Sequence, residues 1–292
     1  MLKLKSLSIS RGAKQLIQNI DLDLFPGQII GIVGKNGCGK SSLFGVLEGH
    51  DEAASGEVEI KSGTRVVILE QEVPALSCSA LEYVMMGDPE LSDVYKRLAH
   101  AEAVEDYELM MTCHSTLSEI DGYSAEAQAA KILNGLGFTQ EGMKESVSSF
   151  SGGWRMRLNL AKCLFSKSDC LLLDEPTNHL DMETIIWVEN FLKSYKGGVL
   201  MVSHDREFLD HTVTHIAHIE HQGLKLYPGD YSRFELQRAE ALAVQQAQFE
   251  KQKAKIDHMM QYVERFRYKA SKAKQAQSRL KAVERMEKVS AV

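Results

Sequence analysis

Three features of this 292-residue sequence predict an α/β fold, with a mostly parallel sheet covered by helices. Residues 29–43 (I-I-G-I-V-G-K-N-G-C-G-K-S-S-L) pass from a buried apolar stretch through a glycine-rich loop into a helical pattern. Apolar strands at Cys170–Asp174 and 198–203 flank a helical segment, Met182–Ser194, giving the strand–helix–strand rhythm of parallel sheets. Residues 2–10 (L-K-L-K-S-L-S-I-S) alternate apolar and polar, as half-buried strands do.

Taken in order, residues 15–24 give a second strand, stopped by a Pro26-Gly27 turn that feeds the glycine-rich loop. After the loop helix, residues 56–60 and 65–71 read as two short strands. Residues 91–117, rich in Ala, Glu, Leu and Met, read as one helix, and 124–136 as a second, ended by Gly137. Together they form a helical subdomain, about residues 79–150, inserted into the α/β body. Short strands at 214–219 and 224–227 precede the Pro228-Gly229-Asp230 turn. From Tyr231 onward there is no Gly or Pro, which predicts two long helices, 231–266 and 270–287. The expected division is therefore a body over 1–230 and a helical hairpin over 231–292.

Hydrophobic content of 44% and charged content of 25% are ordinary for a soluble globular chain. No apolar run approaches the ~20 residues of a membrane span, and the start lacks a secretory h-region. The five cysteines show no C-x-x-C pairing, and their odd number fits a reducing compartment, so a cytoplasmic location is expected. Net charge is −6 but unevenly spread: residues 250–288 hold 12 Lys/Arg against 5 Asp/Glu. A basic arm on an acidic body points to an anionic partner.

The loop Gly34-Lys35-Asn36-Gly37-Cys38-Gly39-Lys40-Ser41, followed by Ser42, is a complete G-x-x-x-x-G-K-S pattern in its strand–loop–helix context. Glycines let backbone N–H groups converge on a phosphate, and the helix N-terminus adds partial positive charge. Lys40 can reach the β- and γ-phosphates of a nucleoside triphosphate, and the Ser41 hydroxyl can hold Mg²⁺. The strand Leu171-Leu172-Leu173 delivers Asp174 to the same edge to support Mg²⁺, and Glu175 is placed to orient and polarise an attacking water.

Three further pieces stand in order: Ser151-Gly152-Gly153-Trp154-Arg155 before a helix, Asn178-His179-Leu180-Asp181 after Glu175, and Ser203-His204-Asp205 after the next strand. With the phosphate loop, this order resembles the ATP-binding cassette (ABC) family. The resemblance implies a P-loop NTPase cassette with a mixed sheet core, an antiparallel β part and a helical subdomain, and ATP and Mg²⁺ as its ligands. It makes Gln71 the Q-loop glutamine near metal and water, His204 the switch histidine, and Asp181 the D-loop aspartate. Ser151, Gly152 and Gly153 become the signature that contacts the γ-phosphate of an opposite cassette. Most cassettes have an aromatic residue near the end of the first strand that stacks on adenine; here Arg11 follows Ile9-Ser10. Its planar guanidinium can stack on the base, or stand as a solvated turn residue, leaving ATP against GTP open.

Residues 265–281 hold seven basic residues (Arg265, Arg267, Lys269, Lys272, Lys274, Arg279, Lys281) and no acidic one, a density suited to a phosphate backbone. A cassette followed by this R-F-R-Y-K-A-S-K-A-K-Q-A-Q-S-R segment is similar to class F of the family (ABC-F), in its YheS-like branch. That likeness implies a soluble tandem-cassette protein that binds the ribosome (rRNA and tRNA), with ATP binding and hydrolysis timing attachment and release. It also implies that the chain stops inside a linker before a second cassette, or pairs head to tail with another copy. The insertion at 91–117 sits at the family's "arm", but is acidic (Glu102, Glu105, Asp106, Glu108), which weighs against direct rRNA contact. A DNA-associated ATPase and the ATPase subunit of a membrane transporter are the alternatives; the transporter reading gives no reason for the helical tail.

Overall fold

The computed structural model describes residues 1–70 and 74–266. In chain order it contains β1 (Leu2–Arg11), β2 (Lys14–Leu24), β3 (Ile29–Gly34), α1 (Lys40–Glu48), β4 (Ser55–Ile60) and β5 (Val66–Ile68). A helical stretch follows, with α2 (Ala80–Met85), α3 (Pro89–Ala103), α4 (Tyr107–Glu119), α5 (Ala125–Gly135) and α6 (Gly152–Phe165). The chain then returns to alternation through β6 (Cys170–Asp174), α7 (Met182–Ser194), β7 (Gly198–Val202), α8 (Arg206–Thr212), β8 (His215–Glu220) and β9 (Gly223–Pro228). The helix α9 (Tyr231–Phe266) comes last. Residues 1–231 make one compact unit, and 232 onward a second.

Two sheets build the body. A six-stranded sheet, ordered β5-β6-β7-β3-β8-β9, is parallel except for β9 at its edge. Its central strands β6 and β7 are buried on both faces, which is why they read as unbroken apolar runs rather than alternating ones. A three-stranded antiparallel sheet, β2-β1-β4, lies apart from it in the pairing. The facing Leu and Ile side chains of both sheets close over Leu43 and Phe44 of α1 in one core. The mixed sheet core, antiparallel part and helical subdomain expected from the sequence are all present.

The alternation in β1 hides a slip of phase. Leu2 and Leu4 point inward and so do Leu7 and Ile9, because three steps from Leu4 to Leu7 oppose two from Leu22 to Ile20. This bulge puts Ser6 at a positive φ of 46°. Gly56 of β4 approaches the Ser6 carbonyl so closely that no side chain fits there.

Residues 91–117 form an antiparallel hairpin of two helices, not the single expected helix. Asp88 caps α3 by accepting from the Glu90 and Leu91 amides at 3.2 and 3.5 Å. The helix stops at Val104, Glu105 takes a left-handed φ of 56°, and Asp106 caps α4 by accepting from the Leu109 amide at 3.0 Å. Leu91, Val94 and Leu98 of α3 then bury against Cys113 and Leu117 of α4. Composition favours helix throughout this stretch; the aspartate cap and the need to bury both apolar stripes break it in two.

Of the tail, α9 covers 36 residues, about 54 Å of helix at 1.5 Å per residue. The second long helix expected at 270–287 lies outside the described residues. No helix among the described residues is long and apolar enough to cross a membrane.

The helical subdomain meets the body where Gly135 of α5 lies against the indole of Trp187 on α7, leaving no room for a Cβ. Gly135→Ala is expected to lower stability by about 1–3 kcal/mol despite the better helix propensity of alanine, because the methyl overpacks the contact. Urea unfolding checks this; an unchanged or raised midpoint would count against so tight a contact.

Candidate functional site

Register sets the site. Ile32 of β3 stands opposite Val202 of β7, and Val202 opposite Asp174 of β6, so these three parallel strands end at one sheet edge. The loop of residues 34–41, the Asp174-Glu175 pair and the Ser203-His204 pair all emerge there. Gly37 and Gly39 hold φ values of 74° and 112°, which glycine adopts without strain. At Gly34 a Cβ would come within 2.7 Å of both the Cys38 sulfur and the Ile219 carbonyl, so the loop can fold back on β3 only as glycine. Lys40 opens α1 with a buried side chain, its ammonium donating to the Gly34 and Lys35 carbonyls at 2.9 and 3.5 Å.

A cleft of about 660 Å³ opens over this edge. Asn36, Gly37, Gly39, Lys40, Ser41 and Ser42 line one side; Asp174, Glu175, Asn178, Val202 and His204 line another. Arg11, Lys14 and Leu16 come from the β1–β2 hairpin. Of the loop residues expected here, Gly34, Lys35 and Cys38 shape the loop without lining the cleft. Lys14, Leu16 and Val202 were not singled out from the sequence, and Asn178 stood there only as part of the Asn178–Asp181 motif. The tight Arg11-Gly12-Ala13-Lys14 turn, which pairs Arg11 with Lys14, is the signal that places Lys14 beside Arg11. A larger cleft of about 880 Å³ beside β5 and α6 contains none of the phosphate-loop residues.

Glu175 carries the strain of the site. Its φ is 50°, unusual for a non-glycine residue, with its amide donating to the Val202 carbonyl at 2.9 Å. Its Oε2 accepts from the His204 amide at 3.2 Å, and the His204 imidazole Nε2 lies 3.5 Å from Oε1. Oε1 is buried and accepts no hydrogen bond. Burial is the largest influence and raises the Glu175 pKa above its ordinary 4.5, against the His204 amide bond and charge, which lower it. The Ser41 hydroxyl and Asp174 carboxylate share the cleft, and such oxygen donors suit Mg²⁺.

The remaining expected residues lie elsewhere. Ser151 caps α6 without using its own side chain, and Ser151 and Gly152 are exposed outside the cleft. Asp181 caps α7, its Oδ1 accepting from the Thr184 amide at 3.0 Å and hydroxyl at 2.8 Å. Those bonds, with Arg157 adding to them, hold its carboxyl at about 2. Gln71 lies outside the described residues, as do Arg267, Lys269, Lys272, Lys274, Arg279, Lys281 and the side chain of Arg265 on α9.

A group whose folded pKa is raised adds stability below its unfolded pKa and loses that contribution as pH rises through the folded value. At neutral pH the Glu175 carboxylate therefore costs stability, and Glu175→Gln should melt no lower than the parent, and higher if the carboxylate costs as the burial implies. A carboxyl ¹³C titration of the nucleotide-free protein should give a midpoint above 4.5 that vanishes in the variant. A midpoint at or below that value would contradict the burial argument.

Comparison with known proteins closes the identification. The family model described as ABC transporter matches residues 17–178, and a second of the same description, the extension model, matches 217–292. The "Probable ATP-binding protein YheS" of Haemophilus influenzae is 49% identical over 287 residues, covering 98% of this chain and 45% of that protein. Human "ATP-binding cassette sub-family F member 3" is 37% identical over 293 residues, covering 97% of this chain and 40% of that protein. The chain thus spans less than half the length of these relatives. Among solved structures, an ATP-binding subunit of an ABC transporter superposes with a TM-score of 0.61 at 15% identity, over 81% of this chain and 93% of that one. A bacterial ABC transporter cassette solved as a dimer gives 0.56 at 17% identity, over 78% and 98%. The chain belongs to the ATP-binding cassette family, to its class F, and is of the YheS type.

Proposed function

We propose that this chain binds and hydrolyses ATP in a site shared with a second cassette, and that the cycle drives a basic helical linker on the ribosome, in the cytoplasm. One observation carries the enzymatic part: a single register of three strands gathers Lys40, Ser41, Asp174, Glu175 and His204 around one cleft. Lys40, drawn off the loop carbonyls, would neutralise phosphate charge. Ser41 and Asp174, with Gln71, would hold Mg²⁺, which when bound screens the β- and γ-phosphate oxygens and polarises the terminal phosphoryl. Glu175, lining the cleft, would orient and polarise the attacking water. His204, within reach of Glu175, would sense the γ-phosphate and report its loss. Arg11 and Lys14, on the hairpin side of the cleft, would contact the base or ribose.

The shared-site part is supported by the exposed position of Ser151 and Gly152 away from the cleft. A surface built to grip a γ-phosphate, yet absent from its own cleft, suits the cleft of another cassette. That partner is a second cassette in a longer chain or a head-to-tail copy. The nucleic-acid part is supported by the one-signed charge of residues 265–281 and by the YheS-type kinship, with rRNA and tRNA the expected targets.

Gly152→Asp should leave ATP affinity unchanged while lowering hydrolysis by about a hundredfold or more, since the carboxylate faces a phosphate in trans. Loss of ATP binding in that variant would speak against a shared site. In the full-length protein, Glu175→Gln should bind ATP, lose hydrolysis by about a hundredfold or more, and co-sediment with ribosomes in ATP but not in ADP. If it stays in the supernatant with ATP, or prefers branched DNA over tRNA and rRNA hairpins at fixed salt, the ribosomal reading fails.

A further inference from the structure

Arg157, on the second turn of α6, is nearly buried, with 12% of its side chain exposed. Its guanidinium joins three separate pieces of backbone. Nε and Nη2 both donate to the His179 carbonyl, at 3.0 and 2.8 Å; Nη2 also donates to the Asp181 carboxylate at 3.1 Å; Nη1 donates to the Leu136 carbonyl at 3.4 Å. The guanidinium lies 4.7 Å from the centre of the Trp154 ring, one turn earlier on α6. Trp154 is itself held edge-on by Phe138 at 4.9 Å, and Phe138 by Phe150 at 5.5 Å.

The surroundings are fitted to this fork. Gly137, with a φ of 89°, sits where a Cβ would stand 3.3 Å from Nη1. A Cβ on Gly153 would stand 3.6 Å from the Cβ of His179, so the start of α6 rests directly on the loop before α7. His179 holds a left-handed φ of 66°, a costly conformation that persists only where its surroundings fix it. Two donors of one guanidinium on its carbonyl supply that constraint.

We propose that Arg157 is a positioning residue that fastens the Asp181 loop to the helix bearing Ser151-Gly152-Gly153, so that both reach a second cassette as one rigid edge. This rests on the shared-site reading above. Arg157 touches neither the cleft nor any residue placed in it, so it acts on the reaction through the loop and the signature helix alone. The planar fork is essential, because an ammonium cannot give two donors to one carbonyl and a third to a carboxylate with the same geometry.

The test compares Arg157→Lys and Arg157→Ala with the full-length parent, by hydrogen exchange and by steady-state kinetics. Both variants should speed exchange at the Asn178 and Leu180 amides by about tenfold or more, with β3, β6 and β7 unchanged. Both should also lower kcat about tenfold while leaving the KM for ATP in place, and lysine should not restore the parental rate. A purely structural role would instead raise exchange throughout, lower the melting temperature, and be mended by lysine. Unchanged exchange at Asn178 and Leu180, or faster exchange with parental kcat, overturns the proposal. A parent that does not hydrolyse ATP sinks the shared-site reading, and the exchange data then decide by themselves whether Arg157 fastens the loop.

Discussion

The parallel register of β3, β6 and β7 is the constraint on which the rest depends. Strands β6 and β7 end level at Asp174 and Val202, β3 runs two residues further to Gly34, and each hands the chain to a different chemical element: a carboxylate pair, a histidine, a phosphate loop. Slipping any strand by one residue would exchange its two faces, so the packing of Ile32, Leu172 and Leu200 into one core specifies where Gly34, Asp174 and Val202 finish. Positioning at the cleft is thus a by-product of hydrophobic packing a few residues away. Lys40 shows the same economy: its ammonium, satisfied by the Gly34 and Lys35 carbonyls, ties the first turn of α1 back to the start of the loop.

Polar groups at this edge are fitted less comfortably than the core beneath them. Glu175 combines a left-handed backbone, partial burial and an oxygen without a hydrogen bond. Each is unfavourable by itself, and the surrounding register over-determines all three. Arg157 is the opposite case, a largely covered charge with its donors spread over three carbonyl or carboxylate groups and its face on an indole. The first is a carboxylate left partly unsatisfied beside the cleft; the second is a joint satisfied within the fold.

Much of this was legible in the sequence, for identifiable reasons. Runs such as Cys170–Asp174 announce a buried parallel strand because nothing else of that length needs to be apolar on both faces. The phosphate loop is readable because its glycines answer steric demands that few other loops make. The hairpin at 89–119 was not readable as two helices, since Val104 and Glu105 are tolerated in a helix and only the Asp106 cap hints at a break. The short helix α8 escaped notice because seven residues carry too little periodicity, although Asp205 caps it by accepting from the Phe208 amide. The bulge in β1 is invisible to a period-two count, which simply resumes in the other phase. Arg157 stood in plain view within a recognised motif, yet its partners lie 21 to 24 residues away in the chain, where no spacing rule reaches.

Two kinds of surface now need to be distinguished on this one chain. The cleft collects groups that face inward to one nucleotide, and its geometry is set by strands that pack before any ligand arrives. The Ser151 and Asp181 elements face outward, and their geometry is set by a single arginine bridging two helices and a loop. A site completed from outside gains nothing from a well-made cleft if the completing edge is loose, because the entropy of ordering that edge is then charged against closure. Fixing the edge in advance with hydrogen bonds made within the fold moves that cost to folding. On the shared-site proposal, the binding energy of ATP would then go into bringing two cassettes together, rather than into ordering the loops with which they touch.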